Sequence, residues 1–116
     1  MSIYLFDYVG TDIVYDILTG QDFKCTEEDF IKHVEKLNSI REEACNKEIR
    51  LNEWLDRIGL PGTECGKYVK WPSWKDIGRL DIKLGRIFIG DECKEIRVIE
   101  YDRVPGFSTK FIHQYH

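Results

Sequence analysis

Three observations predict an α+β fold for this sequence. Two short β-rich runs open the chain, one long stretch of helical periodicity is closed by Gly59 and Pro61, and the C-terminal third turns to strand chemistry, with apolar residues at every second position in RLDIKL. The predicted architecture is an N-terminal β-hairpin, a long or broken central helix, and C-terminal antiparallel strands forming a sheet packed on the helix. Residues 1–116 are expected to make one domain, because a chain of this length sits at the commonest single-domain size.

The hairpin is read from IYLFDY, beginning at Ile3, and DIVYDIL, beginning at Asp12, joined across Val9, Gly10 and Thr11. With Tyr8 opposite Asp12, the pleat groups Ile3, Leu5, Ile13, Tyr15 and Ile17 as a core face. Tyr4, Phe6, Tyr8, Asp12 and Asp16 fall on the other face, an aromatic surface fringed with carboxylates that suits cover by another element or subunit. Thr19 to Asp22 then read as a turn.

Thr26 followed by Glu27, Glu28 and Asp29 is an N-cap with acids in the first turn, where the positive end of the helix dipole favours them. Phe30, Val34, Leu37, Ala44, Leu51, Leu55 and Ile58 recur at helical spacing, with Ile40 and Trp54 widening the stripe. An unbroken helix over 27–58 would be roughly 48 Å long, against a diameter near 35 Å for a domain of this size. Either the helix breaks, with Asn38, Ser39 or Asn46 as weak points, or it projects and pairs with a second copy as a homodimer. Arg41 and Glu48 interrupt the stripe at core-facing positions, which suits a break or a polar contact between helices.

Beyond the loop LPGTECG, RLDIKL, RIFI, EIRVIEY and TKFIHQY read as three or four antiparallel strands. Gly85 is expected at a bulge or bend, and Gly90 with Asp91 and Pro105 with Gly106 at turns.

Composition bounds the function. With 42% hydrophobic and 33% charged residues the chain is neither disordered nor membrane-like, and its N-terminus meets Asp7 before an apolar signal region can develop, so a cytoplasmic protein is expected. Cys25, Cys45, Cys65 and Cys93 are widely spaced, without the close pair of a zinc site, and read as reduced thiols. No cofactor is implied.

Charge is not evenly spread. Residues 67–86, KYVKWPSWKDIGRLDIKLGR, hold six basic and two acidic side chains, a net +4, whereas residues 1–66 carry −7 and residues 91–116 carry −1. Two of the three tryptophans lie in that segment. An indole offers a flat surface for a base while lysines hold phosphates, so Lys67, Lys70, Trp71, Trp74, Lys75 and Arg79 form a candidate site for an anionic small molecule or nucleic acid segment. In the plainer reading of the same residues, Trp71 and Trp74 fold onto the helix and the lysines solvate a loop. Net acidity of the whole chain opposes broad nonspecific DNA binding.

Other constellations are weaker. Asp81, Glu92 and Lys94 match the spacing of a divalent-metal nuclease or phosphodiesterase, in which two carboxylates hold the ion and a lysine stabilises charge. However, Asp/Glu-x-Lys triplets arise readily in a chain with 21 acidic residues, and Glu92 falls in a predicted turn. His113 and His116 alternate across a strand, which leaves a zinc site of Cys65, Cys93 and one histidine as a remote option. Glu27, Glu28, Asp29, Glu35, Glu42, Glu43, Glu48, Glu53 and Asp56 could imitate a phosphate backbone, but basic residues interleave with them as on an ordinary solvated helix. No nucleophile elbow, phosphate-cradling loop or dinucleotide fingerprint is present.

The sequence therefore predicts a small binding or regulatory protein, more inhibitor or accessory factor than enzyme. It would act on an anionic ligand or a partner protein through residues 67–86, without a membrane and as a homodimer. A phage-encoded antagonist of a host system is an analogy for such a protein.

Overall fold

Val14 and Asp16 are the two fully buried residues of strand β1 (Ile13–Asp16), and they fix which way the sheet faces. A computed structural model describes residues 13–92 and 94–106. In it β1 forms a hairpin with β2 (Gln21–Lys24), Val14 opposite Phe23 and Asp16 opposite Gln21, and the Gly20 amide closes the turn on the Asp16 carbonyl at 2.8 Å. Strands β5 (Ile82–Ile89) and β6 (Lys94–Tyr101) pair antiparallel over their full length, and β1 joins β6 in parallel, giving a mixed sheet of order β2-β1-β6-β5.

Several expectations change here. An N-terminal hairpin is present, but its second strand is QDFK, whose first two residues, Gln21 and Asp22, are expected in a turn, and the pairing across Val9 to Thr11 lies outside the described residues. The faces are exchanged as well: Val14 and Asp16 point into the interior, whereas Ile17 is 59% exposed. The sheet is mixed and not wholly antiparallel. Gly85 is no bulge, since the β5–β6 register runs through it without a slip. Its lack of a side chain makes room for the Glu100 carboxylate, which a Cβ would strike. The segment TKFIHQY, which contains His113, lies outside the described residues, as do His116 and Cys93.

Alternation puts Val14, Asp16, Phe23, Ile82, Leu84, Ile99 and Tyr101 on one face. Helix α1 (Glu27–Ala44) covers it, burying Phe30, Val34 and Leu37 at helical spacing, and Thr26 caps it by accepting from the Asp29 amide at 3.1 Å. The helical stripe then breaks near Asn46. Cys45 takes φ 42°, and the Asn46 amide bonds back to the Ala44 carbonyl at 2.5 Å, a tight turn that ends α1. Helix α2 (Leu51–Arg57) resumes the stripe with Leu51, Trp54 and Leu55 buried. Trp54 meets Phe30 edge to face, ring centroids 5.8 Å apart. Because the helix breaks, its length offers no argument for a dimer.

Between α1 and α2 the chain makes strand β3 (Ile49–Arg50), which pairs with β4 (Lys70–Trp71) as a short antiparallel ribbon. A 3-10 turn at Cys65–Lys67 precedes β4, and helix α3 (Trp74–Ile77) follows it. Gly106 extends the ribbon on its far side by exchanging backbone hydrogen bonds with Lys70. Ile49 and Trp71 turn into the core, which runs on through Ile58, Leu60 and Leu80. Among the described residues, Cys45 and Cys65 are free thiols.

Candidate functional site

The six candidate residues of the basic segment do not meet at one surface. Trp71 has no exposed surface: it stacks on Tyr101 with centroids 6.1 Å apart, and its Nε1 donates to the Arg103 carbonyl at 2.7 Å. No base can reach that ring, so its assignment as a stacking platform is corrected to a core residue. Truncating a buried indole of this kind costs about 3–5 kcal/mol. Trp74 is half-buried at the start of α3, with the Arg41 guanidinium 5.9 Å from its ring centre, so one of its neighbours is already a cation of the protein itself.

The cations separate too. Arg79 is exposed and gives both terminal nitrogens to Glu35, at 2.8 and 3.4 Å. Lys67, also exposed, pairs with Glu64 at 2.9 Å. Lys75 projects from α3, whose backbone is tied at that residue to the Cys45 carbonyl at 2.9 Å. Lys70 lies on β4 directly opposite Arg50 of β3.

Residues absent from the sequence reading of this segment govern it. Arg41 is fully buried at the end of α1, where Nη1 donates to the Gly78 carbonyl at 2.6 Å and to Asn38 Oδ1 at 3.2 Å, and Nη2 to the Pro72 carbonyl at 2.9 Å. Burial, which favours the neutral form, lowers its pKa from the usual arginine range. Asn38 holds both backbone groups of Leu80, accepting from its amide at 2.8 Å and donating to its carbonyl at 2.9 Å. Residues 72–80 are therefore a strap clamped on α1. Ser73 caps α3 by accepting from the Asp76 amide at 3.3 Å, and Gly78 at φ 69° supplies the left-handed step that ends it. The one advance signal was Arg41 at a core-facing position of the helical stripe.

What the ribbon gathers is a different cationic group. Ile49 and Trp71 take its inner face, so Arg50 and Lys70 share the outer one. Beside them a shallow depression of about 210 Å³ is lined by Arg50, Asn52, Glu53, Asp56 and Lys67. Glu53 accepts from the Arg50 amide at 3.2 Å and lies 3.6 Å from Lys47 and 3.8 Å from the Arg50 guanidinium. Lys70 has no carboxylate partner among the described residues. Asn52 shapes one wall by holding Thr63 through its amide and carbonyl, at 2.9 and 3.0 Å.

The chain belongs to the family of unknown function DUF6353. That family's profile matches residues 4–109, a span that contains every element from β1 to β6. No curated protein and no solved structure matches the chain.

The alternative metal chemistry has no shared centre in this fold. Asp81 precedes β5 and Glu92 follows it, so the eight-residue strand holds them at opposite ends of the hairpin, roughly 25 Å apart at strand rise. Asp81 lies instead beside Asp102, whose amide bonds to the Asp81 carbonyl at 3.3 Å. Among the described residues no three His, Cys, Asp or Glu side chains converge as metal ligands. Nor is any described helix long and apolar enough to cross a membrane.

Proposed function

We propose that the protein is a non-enzymatic binding protein that takes a phosphate-bearing ligand, such as a nucleotide or a short nucleic acid, on the outer face of the β3–β4 ribbon. One observation carries this reading: Arg50 and Lys70 stand directly opposite each other on that face, and Lys67 shares the adjoining depression with Arg50. Like charges placed opposite on neighbouring strands repel. Glu53, 3.8 Å from the Arg50 guanidinium, offsets one of the two, and Lys70 has no carboxylate partner among the described residues, so an added anion would relieve what remains. The depression is open and small, which suits one or two phosphate groups better than a long polymer track. Of the segment's six candidates, Lys67 and Lys70 remain in this site, Trp71, Trp74 and Arg79 serve the fold, and Lys75 stands apart on α3.

The test is titration of the protein with ATP and, separately, with a short fluorescent single-stranded oligonucleotide, comparing wild type with Lys70→Glu. Wild type should bind at least one of the two, more weakly as salt rises, and Lys70→Glu should weaken that binding about tenfold while moving stability by less than about 0.5 kcal/mol. Absence of binding to either probe would remove the reading. Binding confined to an oligoglutamate control would overturn it in favour of an acidic segment of a partner protein.

A further inference from the structure

Strand β5 is a sheet edge whose two ends complement each other. Among the described residues its outer side has no strand beside it, it runs eight residues without a register slip, and it contains no proline. An edge of this kind is an open template for another strand. The bond from the Asp102 amide to the Asp81 carbonyl marks those residues as a hydrogen-bonded pair. Alternation then turns Lys83, Gly85, Ile87 and Ile89 toward β6 and leaves the amides and carbonyls of Ile82, Leu84, Arg86 and Phe88 pointing outward.

The side chains of those four outward residues share the face on which α1 lies. At one end of the strand that face is hollow: a groove of about 360 Å³ between α1 and β5 is lined by Phe30, Ile31, Val34, Ile82 and Leu84, with Glu35 and Arg79 among the polar groups around it. At the other end it carries Phe88, 62% exposed. Ile31, on the groove's helical wall, is 52% exposed. Knob and hollow thus sit six residues apart on one side of one strand.

We infer that this edge is where a second copy of the chain docks, β5 against β5 in antiparallel register about a twofold axis at Gly85. In that register Ile82 faces Phe88 of the other copy and Leu84 faces its Arg86, so each phenyl ring enters the other copy's groove and the contact is self-complementary. All four outward backbone positions are used. Sliding the strands one way brings Arg86 opposite its own copy, a like-charge pair. Sliding them the other way brings Phe88 opposite Leu80, whose amide and carbonyl Asn38 already occupies. The surface is distinct from the β3–β4 ribbon, so the two readings stand or fall separately.

The experiment is sedimentation of the full chain across a concentration series, with Phe88→Asp and Ile31→Glu as variants and circular dichroism as the check on folding. Wild type should dimerise, and each variant should weaken dimerisation at least tenfold with the fold retained. Register is read by mixing Lys83→Cys with Ile87→Cys chains: these positions face each other across the axis at a spacing a disulfide spans, and peptide mass spectrometry should find the 83–87 crosslink. A wild type that stays monomeric, or that binds an unrelated polypeptide at this edge in place of its own copy, overturns the inference. So does a dimer indifferent to both folded variants, or one that never yields the crosslink.

Discussion

Arg41 Nη1 donates to the carbonyl of Gly78 at 2.6 Å, across 37 residues of sequence, and with Nη2 on Pro72 it turns the basic segment into a clamped strap. The guanidinium is buried beside carbonyls and Asn38, with no ion pair to a carboxylate among the described residues. Its contribution therefore comes from directed hydrogen bonds and from packing on Trp74, set against the desolvation of its charge.

Replacing it separates these effects. Arg41→Met keeps an apolar stem but strands the carbonyls of Pro72 and Gly78, and should lower unfolding stability by about 2–4 kcal/mol. Arg41→Lys should lose somewhat less, because one ammonium cannot span both carbonyls as the planar fork does. Urea unfolding at unchanged slope is the measurement. A Met variant as stable as wild type would mean that packing alone holds the strap.

This clamp also explains what could and could not be read beforehand. The N-cap at Thr26, the helical stripe through Leu55, the weak point at Asn46 and the strands β5 and β6 are local patterns, and each appears where its chemistry requires. Trp71 admits both a stacking platform and a core ring in the sequence, because its burial depends on Tyr101 and Arg103, some thirty residues further on. The ribbon has only two residues per strand, too few for alternation to show. Strand β1 was read with its faces exchanged because a carboxylate at position 16 looks solvent-directed until its partners, Tyr101 and Thr19, are known.

Asn52 and Gly66 offer a test of the depression's wall. A Cβ at Gly66 would run into the Asn52 amide, and Asn52 in turn holds both backbone groups of Thr63. Gly66→Ala should cost about 1–3 kcal/mol as an overpacking change, and Asn52→Ala a similar amount through its two lost hydrogen bonds. In the double variant the nearer obstruction is gone and only the Thr63 hydroxyl, 2.9 Å from such a Cβ, is left, so the two costs should fall short of their sum by at least about 0.5 kcal/mol. Thermal or urea unfolding of the four proteins closes the cycle. Strict additivity would show that Gly66 is required for another reason.

Tyr101 joins three elements through its hydroxyl, which accepts from Trp54 Nε1 at 3.1 Å and donates to Asp16 Oδ1 at 3.0 Å, while Thr19 Oγ1 holds the other carboxylate oxygen at 2.6 Å. Burial, and then the neighbouring Asp16 charge, raise the phenol's pKa far above its usual value. A folded pKa above the unfolded one gives stability that is complete below the unfolded pKa of about 10 and declines as pH rises past it, at about 1.4 kcal/mol per pH unit, because the unfolded chain releases its proton first. Tyr101→Phe should cost about 1–3 kcal/mol at neutral pH by leaving the Trp54 N–H and one Asp16 oxygen without this partner. Between about pH 9 and 11 the gap between wild type and Tyr101→Phe should narrow, since only wild type carries this proton linkage. Urea unfolding of both proteins over that range is the measurement, with the other tyrosines and lysines common to both. Parallel stability curves would show that the phenol ionises as freely in the folded protein as in the unfolded one, and equal stabilities at neutral pH would show that the Asp16–Tyr101–Trp54 chain does not hold the interior together.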